Sequence, residues 1–309
     1  MPPSASSSRA VALAVFVTVL WSSSWVLIRI GLGPGLRPIG FASLRYLIAA
    51  AVLALLCLAT ARSRRSLTMM TPRQWAELFV LGLTFYALAQ GAQFVAIASQ
   101  PAASSSLVLS LTPMIVGLIA TLSLGEPPGL RLWLGAGIIA LGAALYTVGE
   151  LGFTFVGLIA AIVGLGANVA GAIMGRAINR RHDVAPLTVT AVSMGVGAVT
   201  LFLAAILTEG TPTPDAGQWV IVLWLAVVNT ALAFTLWNRS LRVINATQSS
   251  MINNSMLVQI AVLAWLFLGE RLSLIEWLGV ALVTAGVLLA SIPPVPTLWH
   301  RGRRPAPGH

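Results

Sequence analysis

Polar side chains recur at helical spacing inside the apolar stretches of this sequence. Tyr86, Gln90 and Gln93 stand at positions i, i+4 and i+7, so they share one face of a helix. Polar groups in such helices are costly and usually face a cavity or another helix. Amide and phenol groups both donate and accept hydrogen bonds, so this face could line a binding cavity. Hydrogen bonding between helices is the alternative.

A later stretch carries Ser250, Asn253 and Asn254, with Asn254 on the same face as Ser250. Their amides could hold both the ammonium and the carboxylate of a zwitterion, or they could hydrogen-bond to neighbouring helices. Four further candidates for substrate binding lie in other stretches: Asn168, Asn229, Trp237 and Ser110. For Asn168, which stands among small residues, close packing of helices is an equal alternative.

Trp21, Ser22 and Trp25 lie in the middle of the first apolar stretch. The tryptophans could stack on a substrate ring or hold an ammonium group by cation–π attraction, or they could face lipid. Arg45, inside the second stretch, could act in a gate, pair with a substrate carboxylate, or extend to the membrane interface. Pro113 removes a helical hydrogen bond, so it predicts either a hinge or a static bend.

Catalytic chemistry is not indicated. Every Asp and Glu lies at or near the end of an apolar stretch, and His182, His300 and His309 lie in a loop or the tail. Enzymes need a nucleophile–base pair, metal ligands or paired carboxylates. We therefore expect no catalytic residue, no metal and no cofactor.

The composition requires a membrane. Of 309 residues, 58% are hydrophobic and 8% are charged, whereas soluble domains carry about 25% charged residues. The net charge of +10 comes from arginines in short loops, which indicates topology rather than nucleic-acid binding. Ten stretches near the length of a spanning helix predict an all-α integral membrane protein, with helices near 10–32, 38–60, 74–98, 101–123, 131–149, 152–176, 185–208, 217–240, 245–268 and 273–292.

Arginine placement predicts the orientation. If the N-terminus is cytoplasmic, only four of the 18 arginines fall on the opposite side: Arg29, Arg37, Arg45 and Arg271. The positive-inside rule then places both termini in the cytoplasm of a multi-pass protein of the cell inner (plasma) membrane. We expect the Pro- and Arg-rich tail, 293–309, to be disordered there.

The sequence repeats itself. The triplet Leu124–Glu126 returns as Leu268–Glu270, 144 positions later, and Trp133–Gly135 returns as Trp277–Gly279. Roughly 20 of about 72 aligned positions are identical, which marks an internal repeat. The predicted halves, 1–150 and 151–292, hold five helices each. Because an odd number of helices inverts the second copy, we expect ten transmembrane helices in two inverted five-helix repeats, the architecture of alternating-access transporters.

Four short motifs carry a family resemblance: Trp21–Trp25, Leu111–Pro113 and the two Leu-Gly-Glu triplets. With them, the chain resembles the drug/metabolite transporter superfamily in its ten-helix EamA-type form, and most of all the YddG-type exporters of aromatic amino acids. The resemblance implies export or exchange of small metabolites through a central cavity lined by both halves.

We therefore expect a monomeric secondary transporter in the lipid bilayer, with aromatic and other neutral amino acids as substrates. Because no acid or histidine lies at membrane depth, we expect transport to be uncoupled to protons. Nucleosides, sugars and drugs are alternative substrates. A membrane enzyme would need catalytic groups that this sequence does not contain within its apolar stretches. A channel would use rings of like residues, usually from an oligomer. The buried Asn and Gln side chains disfavour a purely structural role.

Overall fold

The computed structural model describes residues 5–100, 130–146, 153–245, 255–268 and 273–291, together with 105, 108–109, 111–112, 115–117, 119, 248–249 and 252–253. Throughout this part of the chain the regular structure is helical. The β-structure there consists of one isolated bridge between Gly33 and Leu36, in the turn that follows the first helix.

Ten helices have described bounds, and we number them in chain order. They are α1 (Ala5–Gly31), α2 (Pro38–Ala59), α3 (Ala61–Thr68), α4 (Pro72–Ser99), α5 (Leu130–Tyr146), α6 (Phe155–Arg181), α7 (Pro186–Thr208), α8 (Ala216–Ser240), α9 (Met256–Leu268) and α10 (Leu274–Ser291). Six of these helices are long and apolar enough to cross a membrane, namely α1, α2, α4, α6, α7 and α8. The prediction of an all-α integral membrane protein is confirmed.

Proline fixes two of the best predicted boundaries. Pro38 and Pro186 occupy the first turns of α2 and α7, where a missing backbone N–H costs nothing. The short helix α3 was not predicted, because its arginines resemble a loop. It follows α2 directly, and Thr60 separates the two helices. The predicted helices at 101–123 and 245–268 lie partly outside the described residues.

The spans α4 and α8 begin alike. In each, the side chain of the residue before the helix accepts from a backbone N–H three residues later, and a Gln side chain at that position accepts in return. These capping boxes pair Thr71 with Gln74 and Asp215 with Gln218. The pairs are 144 positions apart, so the repeat has the same helix start in both copies.

Both of these spans also change helix type at the same place. The backbone is π-helical over Gly82–Leu88 in α4 and over Val227–Leu232 in α8. The two segments correspond in the repeat, because adding its offset of 144 positions to residues 82–88 gives residues 226–232. π-helical turns are rare, and they are frequently found at functional sites. They therefore mark the middle of α4 and α8 as the part of each repeat that departs from regular packing.

The helices α5 and α10 pack reciprocally through glycines. A Cβ atom on Gly142 would lie 2.7 Å from the carbonyl oxygen of Gly279, and one on Gly286 would lie 2.7 Å from that of Gly135. Gly135 and Gly142 correspond to Gly279 and Gly286 in the repeat. Each helix therefore contacts its equivalent through equivalent residues, which is the geometry of a two-fold relation between the halves.

This packing predicts which glycines tolerate a methyl group. Gly142→Ala and Gly286→Ala should each destabilise the protein by about 1–3 kcal/mol, because backbone atoms of the facing helix must move. Gly137→Ala is the matched control on α5, since nothing lies within 4 Å of its added methyl group. Thermal unfolding of the purified protein in detergent measures the difference. Equal stability of all three variants would contradict the close packing of α5 and α10.

Candidate functional site

A cavity lies inside the bundle and is lined by residues of α1, α2, α4, α6, α8 and α9. Its volume is about 170 Å³. A water molecule needs about 10–15 Å³ of such space, so the cavity has room for on the order of a dozen non-hydrogen atoms. That is the size of an amino acid or a similar metabolite.

Arg45 of α2 is the charged residue among the described residues that line the cavity. Its side chain is only 4% exposed. Nε donates to Thr230 Oγ1 at 2.7 Å, and Nη2 lies 3.5 Å from both Ser24 Oγ and the carbonyl oxygen of Asn229. The guanidinium carbon stands 5.5 Å from the ring centroid of Tyr46. Arg45 therefore reaches into the bundle and does not extend to the membrane interface.

Aromatic rings form the apolar wall beside Arg45, and Phe234 of α8 is at their centre. Its ring centroid lies 4.7 Å from Trp21, 5.0 Å from Tyr86 and 6.4 Å from Tyr46. Trp237 adds a further ring, 5.1 Å from Trp21. Rings at these separations and tilts attract one another and present a large apolar surface. The wall suits a flat or bulky apolar group on a ligand.

Five amide side chains supply neutral polar groups to the cavity: Gln90, Gln93, Asn168, Asn238 and Asn253. Tyr46 Oη donates to Gln90 Oε1 at 2.7 Å, and Asn168 Nδ2 donates to the backbone of its own helix. Within the described residues, the amides of Gln93 and Asn253 make no hydrogen bond to the protein. A ligand could therefore use both their donors and their acceptors without breaking a protein contact.

The cavity gathers eight of the predicted substrate-binding residues: Trp21, Trp25, Tyr86, Gln90, Gln93, Asn168, Trp237 and Asn253. Arg45, predicted as a gate or hinge residue, lies beside them. Ser110, Ser250, Asn254 and Pro113 fall outside the described residues.

Two predicted residues lie elsewhere, since Ser22 and Asn229 do not line the cavity and are fully buried between helices. Ser22 Oγ contacts Gln259 Oε1 of α9 at 2.9 Å. Asn229 Nδ2 donates to Ser23 Oγ and Ser24 Oγ of α1 at 2.9 and 3.0 Å. Both side chains hold helices together, because a polar group without water must find its partner within the protein.

Sequence reasoning missed several lining residues, among them Tyr46, Phe85 and Phe234. The repeat offers a signal for one of them. Phe234 lies 144 positions after Gln90, just as Trp237 lies 144 positions after Gln93. Transferring the predicted face of α4 onto α8 would have found it.

The described carboxylates lie at helix ends, away from the cavity. Glu77 pairs with Arg181 and with Arg73. Glu209 accepts from the first backbone N–H groups of α2 at 2.8 and 3.1 Å, where the helix dipole favours a negative charge. In the part of the chain that the structure describes, no group of three His, Cys, Asp or Glu residues could hold a metal ion.

Known proteins are similar to this chain in sequence and in fold. The chain is 24% identical over 267 residues to the uncharacterized transporter YyaM of Bacillus subtilis, covering 82% of this chain and 84% of that protein. It is 27% identical over 214 residues to an uncharacterized transporter of Archaeoglobus fulgidus, covering 68% and 75%.

A solved crystal structure superposes with a TM-score of 0.78 at 21% identity, covering 92% of this chain and 96% of the other. At that identity the likeness establishes the fold alone. The sequence profile of the EamA-like transporter family matches twice, over residues 8–148 and again over 155–292. With both matches spanning most of the chain, the protein belongs to the EamA-like transporter family of the drug/metabolite transporter superfamily.

Proposed function

We propose that this protein is a secondary transporter that exports or exchanges small metabolites, with aromatic and other neutral amino acids among its substrates. One observation carries the proposal. In a member of a transporter family, helices of both sequence halves line a single cavity that holds unbonded amides, an aromatic wall and a buried arginine. Rocking one half against the other would expose such a cavity to each side of the membrane in turn.

The chemistry of the cavity supports a ligand with unlike ends. Gln93 and Asn253 offer free amides, while Phe234 and Trp237 offer an apolar wall. An aromatic amino acid combines a polar head with a flat ring. The cavity has room for on the order of a dozen non-hydrogen atoms, the size of such an amino acid.

Substitutions in the cavity should lower transport while the protein still folds. Gln93→Leu removes the amide but keeps the size of the side chain, and Trp25→Ala removes a lining ring. A lost hydrogen bond to a charged group costs about 1.5–3 kcal/mol, so affinity should fall by about tenfold or more. Phenylalanine uptake into proteoliposomes measures this. Leu88→Ala, on the exposed side of α4, is the control; normal transport by both cavity variants would refute the assignment.

We also propose that both termini are cytoplasmic and that the membrane is the cell inner membrane. The arginine-rich segments support this orientation, and they come together at one end of the bundle. There Ser66 Oγ accepts from Ala185 N, and Arg242 Nη2 donates to Val184 O. At the other end Thr213 N donates to Gly35 O. The basic end would then face the cytoplasm.

Cysteine labelling tests this orientation. Cys57 is buried and is the one cysteine of the sequence. Cys57→Ser therefore gives a background without a native thiol. In intact cells, an impermeant maleimide should react with Thr211→Cys and should reach Met69→Cys only after lysis. Both positions are exposed in the structure, so access depends on the side of the membrane. The opposite labelling pattern would overturn the proposed orientation.

Transport should proceed without an ion gradient. Proton-driven carriers usually place Asp, Glu or His at membrane depth. Among the described residues that line the cavity there is none of these. Proteoliposomes preloaded with unlabelled phenylalanine should therefore take up labelled phenylalanine by counterflow with no imposed gradient. Accumulation that needs an imposed pH step and stops with a protonophore would show proton coupling instead.

A further inference from the structure

The partners of Arg45 are all neutral. Thr230 Oγ1, Ser24 Oγ and the carbonyl oxygen of Asn229 accept from its guanidinium, and the ring of Tyr46 lies beside it. Two of these three contacts are 3.5 Å long and therefore weak. Buried charges in proteins are as a rule paired with an opposite charge, because dipoles alone repay little of the lost hydration.

No described carboxylate can serve as that opposite charge, because each is engaged elsewhere. Glu77 pairs with Arg181, Asp183 accepts from Gln74, and the remaining three described acids, Glu209, Asp215 and Glu276, accept from backbone N–H groups at helix starts. The chain as described thus leaves one positive charge in the wall of its cavity without a negative partner.

Part of the guanidinium remains open to a ligand. Nη1 makes no hydrogen bond to any residue of the described chain, and it is not among the fully buried atoms that lack partners. Arg45 lines the cavity, so its free donors are accessible from inside. A carboxylate can accept from adjacent guanidinium nitrogens in a planar, charge-assisted geometry.

The side chains around Arg45 indicate the chemistry of the rest of the ligand. Beyond Tyr46 stand Tyr86 and Phe234, with ring centroids 6.2 and 6.4 Å from that of Tyr46. An apolar or aromatic body would therefore lie next to a carboxylate bound at Arg45. An ammonium group, by contrast, meets no acidic side chain among the described lining residues.

From these observations we infer that Arg45 is the carboxylate subsite of the cavity, and that the preferred ligands are small organic acids with an aromatic or apolar body. An α-amino group is dispensable for binding. The inference rests on the proposed transport function and narrows its substrate class from neutral metabolites to molecules with a carboxylate.

A matched series of ligands tests this on the unmodified full chain in nanodiscs. The series is 3-phenylpropionate, phenylalanine and 2-phenylethylamine, which keep the ring and change only the charged groups. Calorimetry should show that 3-phenylpropionate binds at least as tightly as phenylalanine. The amine, which lacks the carboxylate, should bind about tenfold more weakly or worse. Equal or tighter binding of the amine, or no binding of either acid, would overturn the inference.

Variants then assign the effect to Arg45. Arg45→Gln should weaken binding of 3-phenylpropionate by about tenfold or more, and Arg45→Lys should retain part of the affinity. Arg37 is exposed and lies immediately before the first residue of α2. Arg37→Gln removes the same charge outside the cavity and should leave affinity unchanged. Unchanged affinity in Arg45→Gln would overturn the subsite. Should that variant not fold, the ligand series on the unmodified chain still decides.

Two further arms separate alternative outcomes. Competition by excess chloride, with no binding of either acid, would mean that Arg45 holds an inorganic counterion and would overturn the inference. Counterflow of nucleosides or sugars at the same rate in Arg45→Gln and the unmodified protein would keep the transport function and reject the carboxylate subsite. Binding of the acids with no counterflow of any compound would keep the subsite and reject the transport function.

Discussion

The contact between the π-helical segment of α8 and the middle of α1 determines how the cavity is built. Asn229 donates to Ser23 and Ser24, and its carbonyl oxygen accepts from Trp21 Nε1 at 3.0 Å. The next residue, Thr230, accepts from Arg45. Two successive residues of one bulge therefore tie α1 and α2 to α8. In a bilayer, where water cannot satisfy these groups, such contacts fix how the helices are rotated.

The two repeats share a backbone but not a cavity surface. Their capping boxes, π-helical segments and packing glycines occupy equivalent positions. At the lining positions the side chains differ: Gln90 and Gln93 in α4 correspond to Phe234 and Trp237 in α8. One half thus contributes amides where the other contributes rings. A symmetric frame of this kind can surround a ligand whose two ends are chemically unlike.

Hydropathy and arginine placement were enough to predict the membrane fold and most helix bounds, because spans must be apolar and prolines and charges end them. They could not reveal the π-helical segments, since hydropathy carries no information about hydrogen-bond register. The cavity was predicted in part. Periodicity finds the polar face of a helix, yet it does not say whether that face meets a neighbour or open space. Asn229 shows the difference, as it was predicted to bind substrate but is fully buried against α1.

The short helix α3 was missed for a related reason. Arginines outside the membrane indicate a side, and they are compatible with either a loop or a helix. Its Ser63 is buried, and the carbonyl of Ser63 lies 3.5 Å from Thr188 Oγ1 of α7. Tertiary contact with α7 therefore accompanies the helical form of this segment, and no local pattern in the sequence encodes that contact.

The π-helical segments have a consequence for changes in chain length. A π-turn holds one more residue than the α-turn it replaces. Deleting a single residue within Val227–Leu232 would turn the π-helical stretch into a regular α-helix, and the residues after it would keep their angular positions, because the wide turn already absorbs one extra residue. Phe234 and Trp237 would still face α1. A deletion in a regular stretch of α8 would instead rotate everything after it by about 100° and replace one lining surface with another. The π-helical segment is therefore the place in this membrane helix where the chain can lose a residue without exchanging the side chains that line the cavity.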